Sequence, residues 1–499
     1  MSRRVRIPLL LSAFLPALAG SWLLGEPSWS AKKCNITEVV ELLRQPSTLQ
    51  ASAHAEAERF SRMEQLAAQK GGLSPRDISR HEVFLPYFDL KTGQFSYLPQ
   101  RPNVLARENG DAEIHAFRMN WSAAESSIAR QHFRSLVEYA SRIPDSEIWV
   151  VVGHDQQSSL LSELQNLTPQ MQERVRIVRR PADPDPWAQD GSKPLARGTA
   201  SVWLADEVLN DHEAQMADQR FNTIALALSG LIEGARTPFR FEGGNVIVGA
   251  RHVFIGSRDV NRLVSDLGVS RQQAIEALSR EFGQPVAEVG VVDSGALGER
   301  YQPDFHIDLT FAVARDRNSG KEVIVLDSPE RFMEVLLNRS LGDKLPQRPL
   351  VTVRNRLLSA RRKVEGRLAR LSPVEERLIE LLRTMDPDEY QMRRDDLNVL
   401  AQQFEALGYE VRRIPGMNWS RAAHRGSNVE LFYYNYTNSI LSPSLAIVPE
   451  MGVLPLDAEA RRVFESLGYD VKPAPVVRQS LCLWGGVRCL TEVYRRPAQ

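Results

Sequence analysis

Only three cysteines, Cys34, Cys482 and Cys489, occur in 499 residues, and no two of them form a CxxC pair. That scarcity excludes a disulfide scaffold and argues against a thiolate zinc site. A charge of one sign is equally missing. The 62 Lys and Arg balance 62 Asp and Glu, so no global field pulls the chain toward nucleic acid or anionic lipid. Past the first 24 residues no run approaches the roughly 20 apolar residues that a membrane span needs. The expected partners therefore include no nucleic acid, and no membrane beyond an N-terminal anchor.

What is present reads as a folded α/β chain, 43% hydrophobic and 25% charged. Arg3, Arg4 and Arg6 precede an apolar run at 7–19 that closes on Ala17-Leu18-Ala19. The pattern is that of a secretory signal peptide over residues 1–31, with an uncleaved anchor as the alternative, and it implies a secreted or periplasmic protein. Residues 32–111 read as a separate N-terminal segment, helical over 39–66, to which no chemistry attaches. A Cys34–Cys482 disulfide would leave Cys489 free.

From residue 112 strands and helices alternate. Strands are expected at 112–119, 147–152, 174–178, 200–204, 245–248, 252–256, 305–314, 322–327, 410–414, 429–434, 440–441 and 445–449. Helices are expected at 125–141, 157–173, 214–233, 271–281 and 457–467. Units of two or three strands and a helix recur, which hints at a repeated architecture. A helical insertion at about 331–407 interrupts the rhythm. Leu357, Val364, Leu368 and Leu371 recur there at helical spacing, and Ser372-Pro373-Val374-Glu375 is a strong helix start.

Four short motifs carry the chemistry. His306-Ile307-Asp308 lies in an apolar, strand-like run, where residues i and i+2 face the same way, so an imidazole and a carboxylate would share one pocket. In Phe241-Glu242-Gly243-Gly244-Asn245 the glycine pair lets the backbone turn tightly behind a carboxylate able to hold an imidazole. Trp187-Ala188-Gln189-Asp190-Gly191 places a carboxylate in a loop. Finally, Trp484-Gly485-Gly486-Val487-Arg488-Cys489 leads two glycines into a cysteine within a short apolar, strand-like run. Arg488 or a nearby imidazolium there is expected to lower the thiol pKa from about 8.5.

Taken in order, Trp-x-Gln-Asp, Phe-Glu-Gly-Gly-Asn, His-Ile-Asp and Gly-Gly-Val-Arg-Cys-Leu-Thr-Glu-Val resemble the pentein guanidino-group-modifying superfamily over residues 112–499. The Trp187 and Cys489 motifs, with the strand bearing Asn438, are most similar to protein-arginine deiminases. The Glu242 motif is similar to agmatine and arginine deiminases, and the His306 motif to amidinotransferases. Where many members carry His before the nucleophile, this chain has Arg488. The resemblance implies a five-bladed ββαβ propeller with its site in the central channel. It also implies a deiminase that turns an arginine-type guanidino group, on a small molecule or a protein side chain, into a ureido group and ammonia. Cys489 would be the nucleophile, His306 the acid and base, and Glu242 its orienting partner. Asp190, Asp308 and Asn438 would bind substrate, and neither metal nor organic cofactor is required. Calcium, which some relatives use, has no loop signature here. An amidinotransferase sharing the Cys489 adduct and a non-catalytic binding protein of the same fold are the alternatives. Loop 416–428, with Arg421, His424 and Arg425, is a candidate gate.

Overall fold

A computed structural model describes residues 87–89, 94–96 and 102–497, apart from 123–125, 154–155, 181–183, 204–221, 224, 228, 238, 293–299, 341–349, 367, 422–429 and 475–485. The leader, the helix expected at 39–66, the Cys34–Cys482 pairing, the first half of the helix expected at 214–233, and His424 and Arg425 all lie outside the described residues.

Within the described residues the fold is α/β, built from small mixed sheets. Five of them repeat one scheme: an antiparallel hairpin, then a crossover to a parallel neighbour. Ser192–Pro194 pairs antiparallel with Ala200–Trp203, which runs parallel to Glu233–Arg236. Val246–Val248, Val253–Gly256 and Val286–Val289 repeat the arrangement. So do Phe311–Arg315, Glu322–Ser328 and Glu410–Pro415, and then Ile440–Leu441, Leu445–Pro449 and Asp470–Ala474. In the fifth, Glu492–Arg495 returns to pair with Ile114–Trp121, which is followed by parallel Glu147–Gly153 and Val175–Arg180. Two-stranded ribbons, Val291–Val292 with Arg300–Tyr301 and Met417–Arg421 with Glu430–Tyr434, lie outside this scheme.

Local sequence explains the elements. Glu147–Gly153 reads EIWVVVG and is buried from Ile148 on, as a parallel strand covered on both faces requires. The crossover helix Ser126–Arg142 buries Phe133, Leu136, Tyr139 and Ala140 against the sheet. Burial of Phe133 and of Leu136 stabilises the fold by about 1.5–3 kcal/mol each. Between 322–328 and 410–415 run four helices, Pro329–Leu337, Leu350–Glu365, Pro373–Thr384 and Pro387–Ala406. Ser372 and Glu375 form the reciprocal cap that the sequence signals.

Three expected helices are cut short. The one expected at 214–233 gives way to the strand that begins at Glu233, and the other two have a visible local reason. The run 157–173 divides into Gln157–Leu164 and Pro169–Gln172, because Thr168 caps Met171 N and Pro169 has no N–H to donate to the preceding turn. The apolar spacing from Leu357 to Leu371 does not describe one helix. The helix ends at Glu365, Gly366 follows at φ +88°, and Val364 and Leu368 are exposed. One helix, Ser257–Leu267, is absent from the sequence expectation altogether. Its first turn supports the site.

Candidate active site

Each expected site residue lies just ahead of the first strand of one of the five repeated units. Asp190 precedes Ser192–Pro194, Glu242 precedes Val246–Val248, and His306 and Asp308 precede Phe311–Arg315. Asn438 precedes Ile440–Leu441, and Cys489 precedes Glu492–Arg495. Short contacts gather the six, all buried, into two groups, and the groups meet where donor atoms of His306, Asp308 and Cys489 lie within 4.8 Å of one another. His306 Nε2 lies 2.6 Å from Glu242 Oε2, and His306 Nδ1 lies 3.8 Å from Asp190 Oδ1. Cys489 Sγ is 3.9 Å from Asp308 Oδ2, and Asn438 Nδ2 donates to Cys489 Sγ at 3.3 Å.

The local backbone differs from the sequence expectation in three places. His306 and Asp308 do not share a strand face. His306 is extended (φ −127°, ψ 141°) and Ile307–Leu309 is a single 3-10 turn, with the strand beginning only at Phe311. The backbone groups of this turn find side-chain partners instead of a neighbouring strand. Ile307 N donates to Asn245 Oδ1 (3.3 Å), and Leu309 O accepts from Asn418 (2.9 Å) and from Asn435. Such local bonds compete with a sheet ladder. Cys489 is likewise not in a strand. It sits in a turn where Thr491 N donates to Arg488 O at 3.0 Å.

The third difference concerns the glycines. Gly243 and Gly244 belong to a 3-10 turn without positive φ, and their need is for space. A Cβ on Gly243 would lie 1.9 Å from Gln189 O, and one on Gly244 2.3 Å from His306 Nδ1. Gly486 is similar, since a Cβ there would lie 2.2 Å from Asn438 Oδ1.

Supporting contacts fix the functional groups. Glu242 pairs with Arg258, and its backbone N–H donates to Asp259 Oδ2 at 3.1 Å, both from the first turn of helix Ser257–Leu267. Asn438 spends both ends of its amide on the nucleophile turn, because its Oδ1 accepts from Arg488 N (2.9 Å) and Cys489 N (3.4 Å). Asp304, buried beside the His306 turn, accepts from Thr310 Oγ1 (2.5 Å) and pairs with Arg393 Nη2 (2.6 Å) on helix Pro387–Ala406.

Beneath Asp308 lies a charged layer that no sequence motif brings together. Arg488 Nε is 3.7 Å from Asp308 Oδ2, and Arg488 Nη2 is 2.7 Å from Glu108 Oε2. Lys193 Nζ is 2.9 Å from Glu108 Oε1. In the amide orientation that satisfies both its ends, Gln189 accepts from Arg488 Nε (2.8 Å) and Lys193 Nζ (3.3 Å) and donates to Asp308 Oδ2 (3.0 Å). Glu108, in the stretch to which no chemistry was attached, had no motif around it to reveal it.

No family model and no curated protein matches the sequence. Among solved structures, the fold is similar to an agmatine deiminase of C. jejuni at 12% identity and TM-score 0.49, covering 79% of this chain and 97% of that one. It is also similar to an agmatine deiminase of Enterococcus faecalis (12%, TM-score 0.44, 79% and 96% covered) and to a dimethylarginine dimethylaminohydrolase (13%, TM-score 0.36, 77% and 100% covered).

The electrostatics of the resting site are unbalanced. Burial raises Asp190 to about 6, with Glu242 and Asp308 adding to it and His306 opposing. Burial raises Asp308 as well, against the pull of Arg488, His306 and Lys193. His306 is held well above the usual histidine range: burial lowers it, but Asp190, Cys489 and Glu242 outweigh that. The thiol is not depressed, contrary to the sequence expectation. Burial pushes Cys489 up to about 11, Asp308 and Asp190 add to the effect, and His306 opposes it. Arg488 turns its guanidinium to Glu108 and Asp308 instead.

Two buried carboxylate oxygens, Asp190 Oδ1 and Asp308 Oδ1, have no hydrogen-bond partner among the described residues, and neither has His306 Nδ1. An orphan of this kind costs about 1–3 kcal/mol, more for a charge. The site is short of a cationic donor. Donor atoms of His306, Asp308 and Cys489 do lie within 4.8 Å of one another, close enough for a divalent ion. A metal needs a thiolate and a neutral imidazole, however, and the resting pair favours the opposite protonation.

Proposed function

We propose that the protein hydrolyses a guanidino group to a ureido group and ammonia through a covalent adduct on Cys489. The observation that carries this reading is the pair of orphan carboxylate oxygens, Asp190 Oδ1 and Asp308 Oδ1, set beside a thiol and a histidine that Glu242 orients. A guanidinium is a flat, permanently charged fork of N–H donors, and it would supply what both carboxylates lack. The finer reading of the architecture is a five-bladed pentein propeller over residues 112–499, with the site in its channel and the helices within 331–407 as an insertion. The leader would carry this activity out of the cytoplasm.

The steps follow from the atoms present. The bound cation lies against Asp190 and Asp308, holds both as carboxylates and favours loss of the Cys489 proton to solvent. The thiolate then attacks the guanidinium carbon, forming a C–S bond. His306, protonated at rest, gives its proton to the departing nitrogen, and ammonia leaves as the C–N bond breaks. The neutral imidazole takes a proton from water, whose oxygen attacks the same carbon. As the C–S bond breaks, the hydroxyl proton passes to the departing sulfur, the thiol returns and the ureido product is released. Glu242 keeps the imidazole oriented and stabilises its charged form. Asn438 holds the thiol rather than the substrate.

The test is a mass assay for ureido product over a panel of free guanidino compounds and an arginine-containing protein, with Cys489→Ala alongside. A gain of about one mass unit per guanidino group, absent with Cys489→Ala, is expected. Substantial turnover by Cys489→Ala would overturn the reading.

A further inference from the structure

Arg488 adjoins the nucleophile in the chain, yet its side chain does not serve the thiol. Its fork is divided between two tasks: Nη2 meets Glu108, while Nε faces the Gln189 amide and, at 3.7 Å, Asp308 Oδ2. Gln189 also donates to that oxygen, so the two residues engage Oδ2 and leave Oδ1 turned away without a partner. Beside this layer lies a small cavity of about 20 Å³ lined in part by Glu108, Gln189, Lys193 and Arg488. Arg488 and Gln189 therefore both line this cavity and hold Asp308.

We infer that Arg488 is a positioning residue for substrate capture: with Gln189 and anchored by Glu108, it fixes the Asp308 carboxylate so that Oδ1 meets the guanidinium. The inference rests on the guanidinium reading of the site, and it concerns binding rather than bond breaking. Charge points the same way. Asp308 is faced by Arg488, His306 and Lys193, which favour the carboxylate, and by Glu108, which disfavours it; Cys489 and Asp190 are the other ionisable groups near it. Loss of Arg488 removes the first of the favourable charges. It also leaves Glu108 with Lys193 as its only cation among these contacts.

Lysine cannot replace this fork. A single ammonium can meet Glu108 or the Gln189–Asp308 edge, whereas the planar arginine reaches both. A merely structural ion pair to Glu108 would be restored by Arg488→Lys, and a positioning role would not.

The experiment compares the parent protein, Arg488→Met, Arg488→Lys and Glu108→Gln by steady-state kinetics on the best substrate of the panel, and by calorimetric binding of guanidinium ion in a Cys489→Ala background. Expected are a rise of about 10- to 100-fold in KM for Arg488→Met, a smaller but clear rise for Arg488→Lys, and kcat within a few-fold of the parent. Guanidinium affinity should fall in parallel, and the acid limb of kcat/KM should move to higher pH. Full recovery by Arg488→Lys, or unchanged KM and guanidinium affinity in Arg488→Met, would overturn the inference. The binding arm separates the two claims. If the parent makes no ureido product but binds guanidinium in an Arg488-dependent way, the hydrolase reading falls and the positioning role stands. If Arg488→Met does not fold, Arg488→Lys and Glu108→Gln carry the same comparison.

Discussion

Gly244→Ala probes the site with the smallest addition that can disturb it. The added Cβ would lie 2.3 Å from His306 Nδ1, 2.7 Å from Cγ and 3.0 Å from Cε1. An ordinary contact needs about 3.4 Å or more, so the ring must retreat by roughly 1 Å. It has little room: its Nε2 is held by Glu242 at 2.6 Å, and Glu242 is itself held by Arg258. A displacement of 1 Å in a reacting group costs on the order of 100-fold in rate. Overpacking a buried site also costs about 1–3 kcal/mol of stability. We therefore expect kcat for ureido formation to fall about 100-fold, with KM changed much less, because Asp190 and Asp308 stay in place. The assay is steady-state ureido production beside a urea melt that verifies folding. A folded Gly244→Ala protein with kcat within threefold of the parent would refute the claim that His306 performs the proton transfers from its observed position.

Other perturbations follow from the same geometry. Asp190→Asn should raise KM far more than it lowers kcat, in contrast to Cys489→Ala, which should form no product; equal losses in KM and kcat for Asp190→Asn would contradict its assignment to capture. Glu242→Gln removes one of the charges that hold His306 above its usual range, so the alkaline limb of the kcat profile should move to lower pH, and an unmoved limb would break the Glu242–His306 link. Alkylation of Cys489 by iodoacetamide should be slow at pH 8 and accelerate toward about pH 11, while a haloalkyl amidinium of similar size should react far faster near neutrality; equal rates would mean that a cation does not activate the thiol. Arg393→Met should cost about 3–5 kcal/mol in a urea melt, since it strands buried Asp304 beside the His306 turn; a change under 1 kcal/mol would show that the Arg393–Asp304 pair does not secure that turn.

Much of the site was legible because its chemistry is concentrated in short segments. Glu-Gly-Gly-Asn and Gly-Val-Arg-Cys each unite an ionisable group with a glycine that allows close approach, and His-Ile-Asp sets two ionisable groups two residues apart. Their grouping in space, however, was not visible from spacing. The strand argument for His306 and Asp308 reached a correct neighbourhood by a wrong route, because periodicity cannot show that Asn418 and Asn435 capture Leu309 O and bend the chain. Most strand cores were readable from apolar runs, whereas Ser257–Leu267 was not. Glu108 and Lys193 lack any local signature, and they matter only because distant strands bring them under Asp308. The direction of the Cys489 shift was missed for the same reason. An adjacent arginine in sequence says nothing about where its guanidinium points.

The fold explains why so sparse a set of residues can make a site at all. Every functional group stands on the short connection just before the first strand of a repeated unit, so five separate sheets each contribute one edge to a common point. Each group is locked from behind: Glu242 by Arg258, Asn438 and Cys489 by one another, Asp308 by Gln189 and Arg488. At the front, two carboxylate oxygens and an imidazole nitrogen lack partners. Burial alone would neutralise such acids, and it does raise Asp190 and Asp308. On the proposed reading, a cation with several N–H donors would reverse that tendency as it binds, and the charge that secures it would also favour the thiolate that attacks it. Binding and activation would then draw on one electrostatic imbalance, and a neutral urea product would be held less tightly than the guanidinium it replaces.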